Sequence, residues 1–311
     1  MNPYLVPETT GRPQAPLCPH ETAEHERYYV PVDNTQAAFE KFQEEIGDTA
    51  SLLHEGRLVV AAGQQGCGKT SLINRCAAWL AENLPHGEIV SLVDESSASD
   101  PIEHRLTLVY ECLLADLARS KVLSADQVRE LAELRDRLEL GYRTLSNRLD
   151  ALDSGLALIV LLPSSEDLVK EIEHYARFAR RKILFFAESS YVDYVDRHWA
   201  QIRRACRAEP VLLRVGPLDD GDGWLFARTR QELHPDAGVY PKVTEETMLR
   251  VTTSGYPTSI GQLQTLLYGV YEDLRRRSPE ELALRSPELS YEEITDYFFR
   301  LMRTPGEDTT R

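Results

Sequence analysis

Lys69 and Thr70 close an octapeptide, Gly63-Gln64-Gln65-Gly66-Cys67-Gly68-Lys69-Thr70, that fills every position of the pattern G-x-x-x-x-G-K-[ST]. These residue types at this spacing suit polyphosphate chemistry. Gly63, Gly66 and Gly68 let the backbone curl, so that successive N–H groups, from Gln64, Gln65 and Cys67 through to Ser71, point at phosphate oxygens. Lys69 is a point charge for the β- and γ-phosphates, and the Thr70 hydroxyl is a ligand for Mg²⁺. A helix starting at this point would add the positive end of its dipole.

The flanking residues have the pattern such a loop requires. Leu58 to Ala62 is a short apolar, β-prone run. Ser71 to Leu80 reads as a helix with Leu72, Ile73, Cys76 and Leu80 on one face. Strand, glycine loop and helix together turn a pattern into a candidate site.

The rest of the chain alternates in the same way. Glu88–Val93, Leu156–Leu162, Ile183–Ala187 and Val211–Val215 read as four further strands. Leu156–Leu162 is continuously apolar, as in a parallel sheet covered on both faces. Asp33-Asn34-Thr35 reads as a cap for a helix carrying Phe39, Phe42 and Ile46. Asp100-Pro101 opens a helix striped by Leu106, Val109, Leu113 and Leu117, and Ser164-Ser165 caps one bearing Leu168, Ile172 and Tyr175. Residues 120–154 are helical and charge-rich, and read as an insertion, an arm or a lid. Residues 1–30, with Pro3, Pro7, Pro13, Pro16 and Pro19, read as an extended, poorly packed lead-in. The core is then 31–240, an all-helical domain spans 241–303, and 304–311 form a fraying tail.

Composition narrows the class. The chain has 311 residues, 42% of them hydrophobic and 27% charged, which is ordinary for a globular protein. A net charge of −15 argues against wholesale nucleic-acid wrapping. Cys18, Cys67, Cys76, Cys112 and Cys206 form no C-x-x-C pair, as expected in a reducing cytoplasm. No secretory signal is legible, and the longest apolar run, Leu156 to Leu162, is too short for a bilayer. Cys18, His20 and His25 lie close in sequence without a fourth ligand of their kind, so incidental spacing is expected. Asp219 to Gly223 lacks the ligand spacing of a calcium loop and reads as a turn with a helix cap.

With the loop after the first of five strands and helices behind the last, the chain resembles the AAA+ and STAND branch of P-loop ATPases. The likeness is to the core shared by bacterial ExeA-like proteins and origin-recognition ATPases, and it covers roughly residues 35–303. It implies an α/β P-loop NTPase fold: a five-stranded parallel sheet in the order 5-1-4-3-2, helices on both faces and a small C-terminal all-α lid. ATP and Mg²⁺ are the implied cofactors, and adenine over guanine rests on the likeness alone. The Gly255-Tyr256-Pro257 turn resembles the one that opens the second lid helix.

The catalytic half departs from that pattern. Relatives end the third strand in acidic residues, whereas here Pro163-Ser164-Ser165 follows Leu162 and acids return only at Glu166-Asp167. Asp94-Glu95 follow the second strand, where a turn or cap competes with a metal role. By resemblance, Glu188 or Ser189 takes the sensor position by the γ-phosphate, with strand-end capping as the alternative. Thr258-Ser259 stand where relatives carry a lid arginine. Arg203 and Arg204 precede the fifth strand, where a trans-acting arginine finger lies in oligomeric relatives, a solvated helix face being the alternative.

Two readings follow. One is a nucleotide-dependent switch with slow or partner-stimulated ATP hydrolysis, acting with a protein partner or by self-association. The other is a non-hydrolysing nucleotide-binding scaffold or sensor. Neither nucleic acid nor membrane is an expected partner.

Overall fold

The computed structural model describes residues 2–9, 12–32, 34–93, 100–153, 155–164, 168–234, 240–255, 259–277 and 287–303. The chain divides into two compact units. An α/β unit comprises Ala37–Gln64 and Lys69–Val215, and a helical unit comprises Met1–Gln36, Gln65–Gly68 and Gly216–Arg311.

The α/β unit is built on five parallel strands, β1 (Arg57–Ala62), β2 (His86–Ser91), β3 (Leu156–Leu161), β4 (Ile183–Ser189) and β5 (Val211–Arg214). Their order is β2-β3-β4-β1-β5. This is the order 5-1-4-3-2 that the resemblance implies. β1 lies between β4 and β5, with Ala61 opposite Glu188 and Ala62 opposite both Ser189 and Arg214. β1 is therefore the point at which chain connections leave in opposite directions, and in open α/β sheets ligands bind beyond the carboxyl ends of such strands.

Both faces of the sheet are covered, so β1, β3 and β4 are apolar almost throughout. Alternate residues leave opposite faces. Leu58, Val60, Leu158 and Val160 share a core with Tyr142 of α5 (Leu138–Leu152), Ile172 of α6 (Leu168–Phe178) and Val195 of α7 (Val192–Ala205). On the opposite face Phe186 meets Phe42 of α1 (Thr35–Ile46), ring centroids 5.8 Å apart. Phe42 also stands edge-on to Trp79 of α2 (Lys69–Asn83).

Residues 120–154 are not an appended arm. Between α3 (Ile102–Arg119) and β3, α4 (Ala125–Ala132) and α5 place Leu131, Tyr142, Leu145 and Leu149 in the main core. Tyr142 stacks on Phe178 at 4.8 Å. These helices lie in the chain between β2 and β3, and the buried stripe of each decides where it packs. The Ser124–Gln127 capping box forms as its spacing predicts.

In the helical unit, α8 (Asp222–Glu232), α9 (Glu245–Thr253), α10 (Ile260–Arg275) and α11 (Tyr291–Arg303) surround a core containing Phe226, Met248, Leu267 and Ile294. This unit is not all-helical. Lys242–Val243 and Glu288–Leu289 form a short parallel ladder, β6 with β7. A two-residue strand carries no periodicity, so a sequence pattern cannot reveal it.

Nor is the start of the chain poorly packed. Tyr4 is fully buried, with its ring 5.1 Å from that of Tyr271 and 6.2 Å from that of Phe226. The Gln264 amide donates to the Tyr4 carbonyl at 2.6 Å, and Asn2 donates to the Tyr268 carbonyl at 2.8 Å. Prolines interrupt regular structure here, apart from a short 3-10 helix at Ala23–Tyr28, but aromatic side chains on an irregular backbone still find a core.

Candidate functional site

The loop after β1 has the backbone a phosphate cradle needs. Gly66 (φ +83°) and Gly68 (φ +77°) occupy the left-handed region, where a side chain would be strained. Gly63 is required for closeness: a Cβ there would lie 2.4 Å from Val215 Cγ2 and 2.7 Å from the Val215 carbonyl oxygen. The Gly63 N–H donates to the Ser189 carbonyl at 3.0 Å, so the loop springs directly from the β1–β4 ladder. Cys67 is buried, whereas Gln64, Gln65 and Gly66 are exposed.

α2 begins at Lys69, earlier than the apolar stripe alone indicates, so Lys69, Thr70 and Ser71 form its first turn. The Lys69 ammonium donates to the Gln64 carbonyl at 2.9 Å and to Ser190 Oγ at 3.3 Å. Thr70 Oγ1 lies 2.9 Å from Glu188 Oε2 and 3.2 Å from Oε1. The Ser164 hydroxyl donates to Glu188 Oε1 at 2.9 Å. Glu188 is only 7% exposed, so this carboxylate is held between two hydroxyls at the carboxyl edge of the sheet.

Behind Ser164 stands a buried ion pair. Arg105 Nη2 of α3 lies 3.1 Å from Glu171 Oε2 of α6 and donates to the Ser164 carbonyl at 3.1 Å. Both side chains are almost completely buried. The pair therefore fixes the backbone at Ser164, whose side chain meets Glu188.

The expected site residues separate into groups. Lys69, Thr70 and Glu188 come together. Ser189 lies at the same strand end, but its hydroxyl accepts from the Tyr191 N–H at 3.1 Å and so caps the turn into α7. Arg204 is exposed near the end of α7, just before β5, at the opposite edge of the sheet from the loop. No partner for Arg204 is seen among the described residues, and its neighbour Arg203 pairs with Glu209 at 2.6 Å. Asp94, Glu95, Glu166, Asp167 and Thr258 lie outside the described residues. So do Tyr256 and Pro257, while Gly255 (φ +88°) follows α9 as a left-handed terminus. Ser259 caps α10, accepting from the Gln262 N–H at 3.4 Å, and the Gly261 N–H donates to the Gly66 carbonyl at 2.9 Å. At Asp219 the backbone N–H donates to the Asp222 carboxylate at 3.0 Å and the carbonyl accepts from the Asp222 N–H at 3.1 Å, a turn; the cap of α8 is Gly221 (φ +91°), without a side-chain bond.

Ser164 and Ser190 carry no site signal in the sequence pattern. Their signal is positional: each follows the carboxyl end of a strand adjacent to or near β1 in the sheet, a placement visible only once the strand order is known. Next to Ser190, a pocket of ≈ 350 Å³ is lined by Gln64, Ser190, Tyr191, Asp193, Tyr194 and Arg197. Tyr191 and Tyr194 are 52% and 43% exposed, unusual for rings of that size.

The donor set fits a magnesium–nucleotide complex. It offers a left-handed glycine cradle, an ammonium beside a strand end, and a hydroxyl paired with a carboxylate. Among the described residues no helix is long and apolar enough to cross a membrane.

No family model and no curated protein matches the chain. Among solved structures it is similar to PCH-2 of C. elegans, at 12% identity and TM-score 0.45 over 86% of this chain and 65% of that one. It is also similar to domain III of the Thermotoga maritima replication initiation protein DnaA, at 14% identity and TM-score 0.47 over 93% and 100%. A third likeness is to the Aeropyrum pernix ORC2 protein, at 15% identity and TM-score 0.48 over 85% and 66%. The chain thus spans about two thirds of the length of PCH-2 and of ORC2.

Proposed function

We propose that this chain is an ATP-binding switch of AAA+ type whose phosphate loop binds Mg·ATP and whose hydrolysis is slow. The observation that carries this reading is the contact of Thr70 with Glu188 beside Lys69. Backbone N–H groups from Gln64 to Ser71 would hold the phosphates, Lys69 would face the β- and γ-oxygens, and Thr70 with Glu188 would hold the cation side. Magnesium, when bound with nucleotide, supplies neutralisation of charge on the bridging and terminal oxygens.

Glu188 therefore takes the place of the acid missing after β3, where Pro163 has neither a ligand nor a base to offer. A carboxylate that bonds the threonine hydroxyl serves the cation rather than the attacking water. That division of labour supports basal turnover well below about 1 s⁻¹, the low end of ordinary enzyme rates. It equally supports the second reading, a nucleotide-binding scaffold without turnover, since binding phosphate and activating water depend on different residues. The exposed Tyr191 and Tyr194 beside Ser190 support a protein partner at this edge of the sheet, where a contact could change the rate.

Calorimetric titration with Mg·ATP, ADP and GTP, alongside phosphate release, tests the reading. The parent should bind ATP, and Lys69→Ala should weaken that affinity at least about tenfold by removing a charge facing two phosphates. Equal affinities for parent and variant would show that nucleotide is not held here. Tight ATP binding without phosphate release would select the scaffold.

A further inference from the structure

Among the described residues, a cluster of metal-ligating groups lies in the first thirty residues of the chain. The Cys18 carbonyl accepts from the backbone N–H groups of Glu21 at 3.3 Å and Thr22 at 2.9 Å, which closes a single tight turn. Residues three apart on such a turn share a side, so the Cys18 thiol and the Glu21 carboxylate face the same way. His20 joins them: Cys18 Sγ lies 3.3 Å from its Nε2 and 3.6 Å from its Nδ1. One ligand atom from each of Cys18, His20 and Glu21 falls within 4.8 Å of the others.

His25 is the ligand that sequence proximity suggests, but it is committed elsewhere. Its Nδ1 accepts from the Cys18 backbone N–H at 2.9 Å, so the proton resides on Nε2, which donates to the Pro7 carbonyl at 2.8 Å. His25 is buried and locks the turn that presents Cys18. It is a support for the ligand turn, in the way outer groups orient metal ligands.

We propose that Cys18, His20 and Glu21 form a binding site for a zinc-class divalent transition-metal ion. The thiolate, one imidazole nitrogen and one carboxylate oxygen are its protein ligands, and water takes the fourth position. Donor atoms on tetrahedral zinc stand about 3.5 Å apart, close to the sulfur–nitrogen separations found here. A sulfur and an imidazole select a borderline or soft cation and disfavour magnesium and calcium, which take oxygen donors. Cys18 and His20 are half-buried and Glu21 is exposed, so solvent reaches the open position. On binding, the Cys18 S–H bond is exchanged for a metal–sulfur bond and the proton leaves to solvent. The three ligands precede the first strand, and none of them belongs to the phosphate loop.

The test is titration of chelator-stripped full chain with Co²⁺ in the absence of nucleotide. A thiolate-to-cobalt charge-transfer band should appear in the near ultraviolet, saturate stoichiometrically and disappear on adding Zn²⁺. Cys18→Ser should abolish the band, whereas Cys206→Ser, which removes a half-buried thiol elsewhere, should keep it. His20→Ala and Glu21→Gln should each weaken affinity at least about tenfold. Glu21 is exposed, so its variant keeps the test decisive even if Cys18→Ser folds poorly by circular dichroism. No band at stoichiometric cobalt, a band retained in Cys18→Ser, or parent affinity in both His20→Ala and Glu21→Gln would overturn the proposal.

Discussion

Thr70 of the first helical turn after the phosphate loop hydrogen-bonds Glu188 at the end of β4, Oγ1 to Oε2 at 2.9 Å. A threonine that would ligate a cation is thus matched with a carboxylate from the strand beside β1, not from β3. Glu188→Gln keeps the shape and removes the charge. It should weaken ATP affinity in the presence of Mg²⁺ at least about tenfold and leave the magnesium-free affinity nearly unchanged. Calorimetry with and without chelator reads this difference. Unchanged Mg·ATP affinity with abolished turnover would instead assign Glu188 to the attacking water.

The Arg105–Glu171 pair is buried and holds the backbone at Ser164. Removing one partner leaves an uncompensated charge in the core, so Glu171→Ala should cost about 3–5 kcal/mol of stability. Replacing both, Arg105→Met with Glu171→Met, should cost less than either single change. Urea denaturation of the set measures this, and an additive double variant would contradict the coupling.

Tyr4 is enclosed by Phe226 and Tyr271 although it stands near the start of the chain. Tyr4→Ala should destabilise the helical unit by about 3–5 kcal/mol, the usual cost of emptying a buried aromatic site. Thermal melting checks it. An unchanged midpoint would mean that the segment packs only loosely.

His234 lies 3.1 Å, through Nε2, from the Tyr28 hydroxyl. Burial, with Arg27 and Arg230 nearby, lowers its pKa below the ordinary histidine value. The unfolded chain then binds a proton that the folded chain resists, so stability is present above the unfolded pKa and is lost as pH falls through the folded one. Melting temperature should drop on acidification below about pH 6.5, and His234→Gln should flatten that part of the profile. Identical profiles for parent and variant would exclude this histidine as the cause.

The sequence by itself determined the loop, the strand before it, the helix after it and the alternation that makes a parallel sheet. Each rests on local chemistry: glycines that permit left-handed backbone, a lysine and a threonine at fixed spacing, and apolar periods that differ between strand and helix. Glu188 stands at the end of β4, next to β1 in the sheet, where the resemblance leads one to expect a sensor residue. What the sequence did not determine is what these groups touch. Ser164 reads locally as a helix cap, yet its hydroxyl meets Glu188. At the strand end where the resemblance implies a sensor, the Ser189 hydroxyl accepts from the Tyr191 N–H, and it is Ser190 that meets Lys69. Residues 120–154 read as an arm because their surface is charged, but packing is decided by the buried stripe and by the space it fills. Tyr4 and the β6–β7 ladder carry no period at all; they are held by partners more than forty residues away in sequence, a distance that no local pattern encodes.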